Sequence, residues 1–79
     1  MFIQFTSITD ISSYFSGSKY YEGQITISQD HQTVDGRSQM GVYSLDLSKP
    51  IIISIKTPHP DVEENFYNFL RKWEVDKIE

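Results

Sequence analysis

The clearest structural signals in this chain lie in one central stretch: Val34-Asp35-Gly36-Arg37-Ser38-Gln39-Met40-Gly41-Val42-Tyr43-Ser44-Leu45-Asp46-Leu47-Ser48-Lys49-Pro50. Gly36 breaks a preceding strand, and Ser38 is a residue type whose hydroxyl caps the first turn of a helix. Val42 and Leu45 lie three residues apart, the spacing at which two side chains share one helix face. The stretch therefore predicts a strand end, a turn and a short helix at about 39–46, with Val42 and Leu45 facing the core.

The residues after this stretch predict a central strand and a final helix. Residues 51–55 are almost entirely β-branched and apolar, as in a strand that is covered on at least one face. Pro60 suits the first position of a helix, and acidic residues follow it near the positive end of the helix dipole. Apolar residues then recur on one helix face: Val62, Phe66, Phe69, Leu70 and Trp73. We therefore expect a strand at 51–55 and a helix at about 60–75.

The residues before the stretch begin with a strand and a helix. Residues 2–6 are rich in strand-forming types, which indicates a first strand there. Ser7 followed three residues later by Asp10 resembles a capping box, in which side chains at a helix start bind its free amide groups. Apolar residues then recur at helical spacing, namely Ile8, Ile11 and Phe15. A first helix is therefore expected at about 8–17.

A β-hairpin completes the set of elements. Residues 24–28 alternate between polar and apolar types, Asp30 and His31 form the predicted turn, and residues 32–35 form the return strand. The resulting order is βαββαβα. The fold class that suits this order is α+β, an open-faced sandwich in which a four-stranded antiparallel sheet carries three helices on one face.

The composition excludes several classes of protein. The 79 residues carry a formal net charge of −4 and include no cysteine, so we expect one domain (1–79) without disulfides. An acidic chain without a basic stripe does not suit the phosphate backbone of nucleic acid. No apolar run approaches the roughly 20 residues of a membrane helix, and the N-terminus does not resemble a signal peptide. We therefore expect a monomeric, cytoplasmic protein that binds neither nucleic acid nor membrane.

The helix predicted at 39–46 has a second face, formed by Gln39, Met40 and Tyr43. A methionine beside a tyrosine on an exposed short helix favours docking of a protein partner. The alternative is that Met40 and Tyr43 cover the edge of the sheet, since single exposed apolar residues are common. The residues by themselves leave both interpretations open.

Ser38 also has two interpretations, and they are compatible. The first is the helix cap described above. The second is a phosphorylation site, because a phosphoserine at a helix N-terminus meets unpaired amide groups and the positive end of the dipole, here with Arg37 adjacent. Phosphorylation would add up to about two negative charges beside Met40.

The segment Arg37-Ser38-Gln39-Met40-Gly41-Val42-Tyr43-Ser44-Leu45 resembles part of the histidine-containing phosphocarrier protein HPr of the bacterial sugar phosphotransferase system. HPr proteins of low-GC Gram-positive bacteria read Lys-Ser-Ile-Met-Gly-Val-Met-Ser-Leu there, and the similarity extends over residues 24–55. In that family the fold is the βαββαβα sandwich, a dedicated kinase phosphorylates the matching serine, and the helix around it docks partner proteins. The resemblance implies a regulatory phosphorylation site at Ser38 and partner contacts by Met40 and Tyr43, and the neighbouring Arg37 and Gln39 are further candidates for partner contact.

The first quarter of the chain departs from that family. HPr proteins place Gly-Leu-His-Thr-Arg-Pro between the first strand and the first helix, and this histidine accepts the phosphoryl group. Here the strand leads directly into Ser7-Ile8-Thr9-Asp10, without histidine or arginine. Asp10 adds a carboxylate that competes with any anion for the amide groups of the helix start. We therefore expect no phosphoryl transfer at this helix and no enzymatic activity.

Two histidines remain. His31, in the hairpin turn, lies at the same end of the predicted sheet as the start of the first helix, and it is the alternative phosphoacceptor. His59 lies between two prolines and suits a turn, and two isolated histidines form no metal site, so we expect no metal and no cofactor.

The leading hypothesis is a non-catalytic, HPr-like regulatory module of the phosphotransferase system. Its expected partners are phosphotransferase-system or catabolite-regulation proteins, with an HPr kinase-like enzyme acting on Ser38. The alternative is a phosphocarrier that uses a relocated acceptor such as His31.

Overall fold

The computed structural model describes residues 1–76 and shows an α+β protein built on a four-stranded antiparallel sheet. The predicted order βαββαβα is confirmed. Its elements, in chain order, are β1 (Phe2–Ile3), α1 (Ile8–Ser18), β2 (Gln24–Gln29), β3 (Gln32–Asp35), α2 (Gln39–Tyr43), β4 (Ile51–Lys56) and α3 (Pro60–Leu70), followed by a 3₁₀ turn at Arg71–Trp73.

The strands are arranged in the order β1-β4-β2-β3. The last strand in sequence thus lies between β1 and β2, which run parallel to each other because both are antiparallel to β4. The registers place isoleucines opposite one another along the inner face, where Ile3 pairs with Ile51 and Ile27 pairs with Ile53. Side chains two residues apart share a face of a strand, so these isoleucines form one continuous apolar layer.

The helices bury this layer from one side. Their contributions to the core include fully or almost fully buried side chains: Ile11, Tyr14, Val42, Phe66 and Leu70. The prediction that Val42 and Leu45 face the core is confirmed, since they are 0% and 6% exposed. The opposite face of the sheet is open and mainly polar, with hydroxyl contacts such as Thr26 to Ser54 at 3.0 Å.

The first strand is shorter than the predicted 2–6, because β1 ends at Ile3. Ile3 pairs with Ile51, so the next residue would pair with Pro50, which has no amide hydrogen to donate. The amide of Gln4 instead donates to the carbonyl oxygen of Trp73 at 3.1 Å. The prediction at this end of the strand was therefore wrong.

The second helix also ends early, at Tyr43 instead of residue 46. The hydroxyl of Ser44 donates to the carbonyl oxygen of Gly41 at 2.6 Å, a local bond that competes with continuation of the helix. Further on, the side-chain amide of Gln29 binds both main-chain groups of Asp46, at 2.8 Å and 2.6 Å. This pairing holds the segment after α2 against β2 and fixes the path into β4.

The last helix ends at Leu70 instead of about 75, and the 3₁₀ turn carries the chain to Trp73. Glu74 is extended and forms an isolated antiparallel bridge with Ile3, while the amide of Val75 donates to the carbonyl oxygen of Phe2 at 2.9 Å. The chain thus forms hydrogen bonds with the outer edge of β1 that it could not form if α3 continued to residue 75.

Candidate functional site

Ser38 caps α2, as predicted. Its Oγ accepts a hydrogen bond from the amide of Gly41 at 3.2 Å, and its carbonyl oxygen accepts one from the amide of Val42 at 3.0 Å. The residue is half-buried, and its hydroxyl donates to no acceptor within residues 1–76. The capping role is therefore confirmed, and phosphorylation of the same hydroxyl stays a prediction.

The side chain of Arg37 is directed at the segment that joins α1 to β2. Its Nη1 donates to the carbonyl oxygen of Ser18 at 2.8 Å, and its Nη2 donates to those of Gly23, at 3.0 Å, and Tyr21. The guanidinium charge lies at the C-terminal end of α1, where the helix dipole favours a cation. Arg37 thus has a role within the fold, and its proposed contact with a partner stays a prediction.

The exposed face of α2 carries Gln39, Met40 and Tyr43. Met40 is 87% exposed, so it does not cover the edge of the sheet. Tyr43 is 51% exposed, and one side of its ring lies against Phe15 of α1, with the ring centroids 6.3 Å apart. The structure therefore presents these side chains to solvent, as a partner-docking surface requires.

A groove between α1 and α2 extends this surface. It is lined by Gln39 and Tyr43 from α2 and by residues of α1 and its end: Ser12, Phe15, Ser16 and Lys19. We use the term docking surface for Met40 together with these groove residues, and docking of a partner there stays a prediction. The sequence did not reveal the part contributed by α1, because Phe15 recurs at core spacing and nothing local indicates which helix will lie beside it.

The N-terminus of α1 is occupied by the chain's own side chains. Ser7 Oγ accepts from the amide of Asp10 at 3.2 Å, and Asp10 Oδ2 accepts from the amide and hydroxyl of Thr6 at 3.0 Å and 2.8 Å. The hydrogen bonds from Thr6, that from its amide first, hold the pKa of the Asp10 carboxyl below its ordinary value. The expected negative charge is therefore present at the helix start, and a second anion there would face its repulsion.

His31 lies in the hairpin turn beside Asp30, whose φ of 54° is the left-handed conformation that such two-residue turns require. It is exposed and makes no hydrogen bond or ion pair with any residue in the described range 1–76. The strand registers place this turn at the end of the sheet where α1 begins. The structure thus supports the predicted location of His31, and phosphoryl transfer to it stays a prediction.

His59 precedes α3, and its side chain forms no cap bond. Across residues 1–76, no three histidine or acidic side chains lie close enough to hold a metal ion. No helix in the same part of the chain is long and apolar enough to cross a membrane. Comparisons with family models, with curated proteins and with solved structures find no match to this chain. The resemblance to HPr thus depends on the residues quoted above.

Proposed function

We propose that the protein is a non-catalytic, HPr-like interaction module of the bacterial cytoplasm. It docks a protein partner through the docking surface, and phosphorylation of Ser38 controls this docking. The observation that carries the proposal is the 87% exposure of Met40 in the first turn of α2, two residues after the capping Ser38. An exposed methionine adapts to the shape of an apolar partner site, and a phosphate two residues away would change the charge of that contact.

The surroundings of Met40 support the same proposal. Val42 in α2 and Leu45 just after it are buried in the core, so α2 presents Met40 and Tyr43 from a fixed support. The adjacent Lys19 adds a cation to the groove, although the whole chain is acidic. A partner with an apolar pocket and a nearby carboxylate would complement this surface, and proteins of the phosphotransferase system or of catabolite regulation are the partners that the resemblance implies.

The start of α1 supports a module without phosphoryl transfer. In the family that the sequence resembles, a histidine accepts the phosphoryl group at this helix, whereas here Ser7 and Asp10 occupy the same end. His31, the alternative acceptor, has no cation or hydrogen-bond donor bound to it in the described structure.

A labelling experiment tests the control by Ser38. Purified protein is incubated with ATP and a serine-directed HPr kinase, and incorporation of phosphate is measured by intact mass. Wild type and Ser44→Ala, a control that removes a serine from the other end of α2, should be labelled, and Ser38→Ala should not. Absence of labelling under conditions that label an authentic HPr would refute the proposed phosphorylation.

The same kinase reports on the docking surface. The double variant Met40→Ser, Tyr43→Ser should lower kcat/KM by about tenfold or more, which corresponds to about 1.4 kcal/mol of lost binding. Ile52→Ser is the matched control, because Ile52 is 40% exposed on the open face of the sheet, away from the helices. An equal effect of both variants would contradict docking through α2.

Incubation with phosphoenolpyruvate and enzyme I examines the alternative function. An acid-labile phosphohistidine that disappears in His31→Ala would establish a phosphocarrier and would overturn the non-catalytic proposal.

A further inference from the structure

Arg37 is the residue before the α2 cap, and its guanidinium donates hydrogen bonds to the loop that follows α1. We propose that phosphorylation of Ser38 withdraws the Arg37 guanidinium from this loop (residues 19–23) and thereby loosens it. The inference rests on the phosphorylation of Ser38 proposed above, and it assigns that modification a structural effect beyond the added charge.

The three acceptors that now hold Arg37 are the neutral carbonyl oxygens of Ser18, Tyr21 and Gly23. A phosphate dianion is a stronger acceptor, because both partners of an arginine–phosphate hydrogen bond are ionised. Ser38 is the next residue, with its Cα about 3.8 Å from that of Arg37, so the proposed phosphate would be placed near the start of the long arginine side chain. Arg37 is exposed, and its guanidinium can therefore turn without opening the core.

The guanidinium binds carbonyl oxygens at both ends of this loop. The carbonyl oxygen of Ser18 accepts from Arg37 and also from the amide of Tyr21, at 3.3 Å, while the amide of Tyr20 donates to Gly17 at 3.1 Å. Tyr20 is 86% exposed and so gains little from packing. Loss of Arg37 should therefore weaken the turn around Tyr20 and Tyr21.

The ring of Tyr21 limits how far the loosening extends. It lies against the rings of Phe66 and Phe69 of α3, with centroid distances of 5.5 Å and 5.4 Å. These contacts do not involve Arg37, so the loop should become more mobile without the core being lost. Lys19 belongs both to this loop and to the docking surface, and the loosening therefore reaches the α1 side of that surface.

The experiment installs phosphoserine at position 38 by stop-codon suppression, so that no kinase is needed. Amide hydrogen exchange of Tyr20 and Tyr21 is then followed by NMR. We expect exchange about tenfold faster than in the unmodified protein, the effect of losing roughly one net hydrogen bond. Arg37→Gln without phosphate should show the same acceleration, and phosphoserine added to Arg37→Gln should cause no further change.

Phosphoserine at position 44 is the matched control, since it adds the same charge at the other end of α2 and should leave Tyr20 and Tyr21 unchanged. Unchanged exchange of these amides on phosphorylation of Ser38, with or without an effect of Arg37→Gln, would overturn the inference. If Arg37→Gln does not fold, Arg37→Lys replaces it, and its amides should exchange at a rate between those of wild type and phosphoprotein. Unchanged amide exchange would leave the kinase labelling and docking results as they are. Absence of kinase labelling would not alter the exchange measured with installed phosphoserine, so the two proposals can be distinguished.

Discussion

The phenol of Tyr14 donates a hydrogen bond to the carbonyl oxygen of Gly36 at 2.8 Å, and this contact joins the middle of α1 to the turn before α2. The Tyr14 side chain is completely buried. Burial raises the pKa of the phenol well above its ordinary value, because the phenolate would be desolvated. Tyr14 therefore remains neutral and donates throughout the physiological pH range.

Replacing Tyr14 by Phe should lower the free energy of unfolding by about 1–2 kcal/mol, because the Gly36 carbonyl oxygen loses its buried donor. Urea denaturation followed by circular dichroism measures this difference. Tyr20→Phe is the control, since Tyr20 is 86% exposed and its hydroxyl makes no hydrogen bond to residues 1–76. Equal denaturation midpoints for Tyr14→Phe and wild type would show that the bond contributes nothing.

Ser38→Ala should lower the free energy of unfolding by about 1 kcal/mol, because the Gly41 amide loses its capping acceptor. Ser38→Asp keeps an acceptor at the same position and should retain most of the stability. Thermal unfolding of the three proteins tests this order. If Ser38→Ala proves as stable as wild type, the cap has no energetic role, and loss of labelling in that variant can be attributed to chemistry alone.

Replacing Gln29 by Ala should lower the free energy of unfolding by more than is usual for a residue at the end of a strand. The Gln29 side chain is buried, and it both donates to the carbonyl oxygen and accepts from the amide of Asp46. We expect a loss of about 1–3 kcal/mol in urea denaturation, because two partly buried main-chain groups lose their partner. Gln32→Ala, at an exposed position of the same hairpin, is the control. Similar losses in both variants would contradict a specific role for Gln29.

The protein should lose stability in acid through two carboxyl groups. Hydrogen bonds from Thr6 lower the pKa of Asp10, and hydrogen bonds from the Ser48 hydroxyl and amide lower that of Asp46, in each case below the ordinary value of 3.8. A lowered pKa in the folded state contributes stability above the unfolded value, and this contribution disappears as the pH falls through the folded value.

Urea midpoints measured at pH 7 and at successive values below 3.8 test this expectation. The midpoint of wild type should fall over that range, and the double variant Asp10→Asn, Asp46→Asn should show a smaller fall. Parallel pH profiles for the two proteins would mean that other groups cause the acid sensitivity.

The sequence predicted most of the local structure, because the signals for it are local. The alternating residues of β2, the isoleucine run of β4 and the caps at Ser7 and Ser38 each act over a few residues, and all four are present in the structure. The errors lie at element ends. The bounds of β1 and α3 depend on Pro50 and on the edge of β1, which are distant in sequence from the ends they determine, whereas α2 ends where the Ser44 hydroxyl binds the nearby Gly41 carbonyl oxygen.

Gly36 also shows the difference between a local signal and a requirement set by distant segments. The sequence indicated only that it breaks a strand. In the structure a Cβ atom at this position would lie 2.9 Å from Tyr14 Oη and would also collide with Ile25, so α1 and β2 together require a glycine there. Arg37 is a second example. The sequence made it a candidate for contact with a partner, and in the structure its guanidinium binds main-chain carbonyl oxygens 14 to 19 residues earlier in the chain.

Local amino-acid order is enough to specify which segments become strands and helices, and which side of α2 enters the core, since spacing and capping are properties of neighbouring residues. Tertiary structure decided what surrounds Met40, what Arg37 holds and where α3 ends. These outcomes depend on contacts between segments far apart in sequence, whose hydrogen bonds and packing compete with the local preferences at each element end.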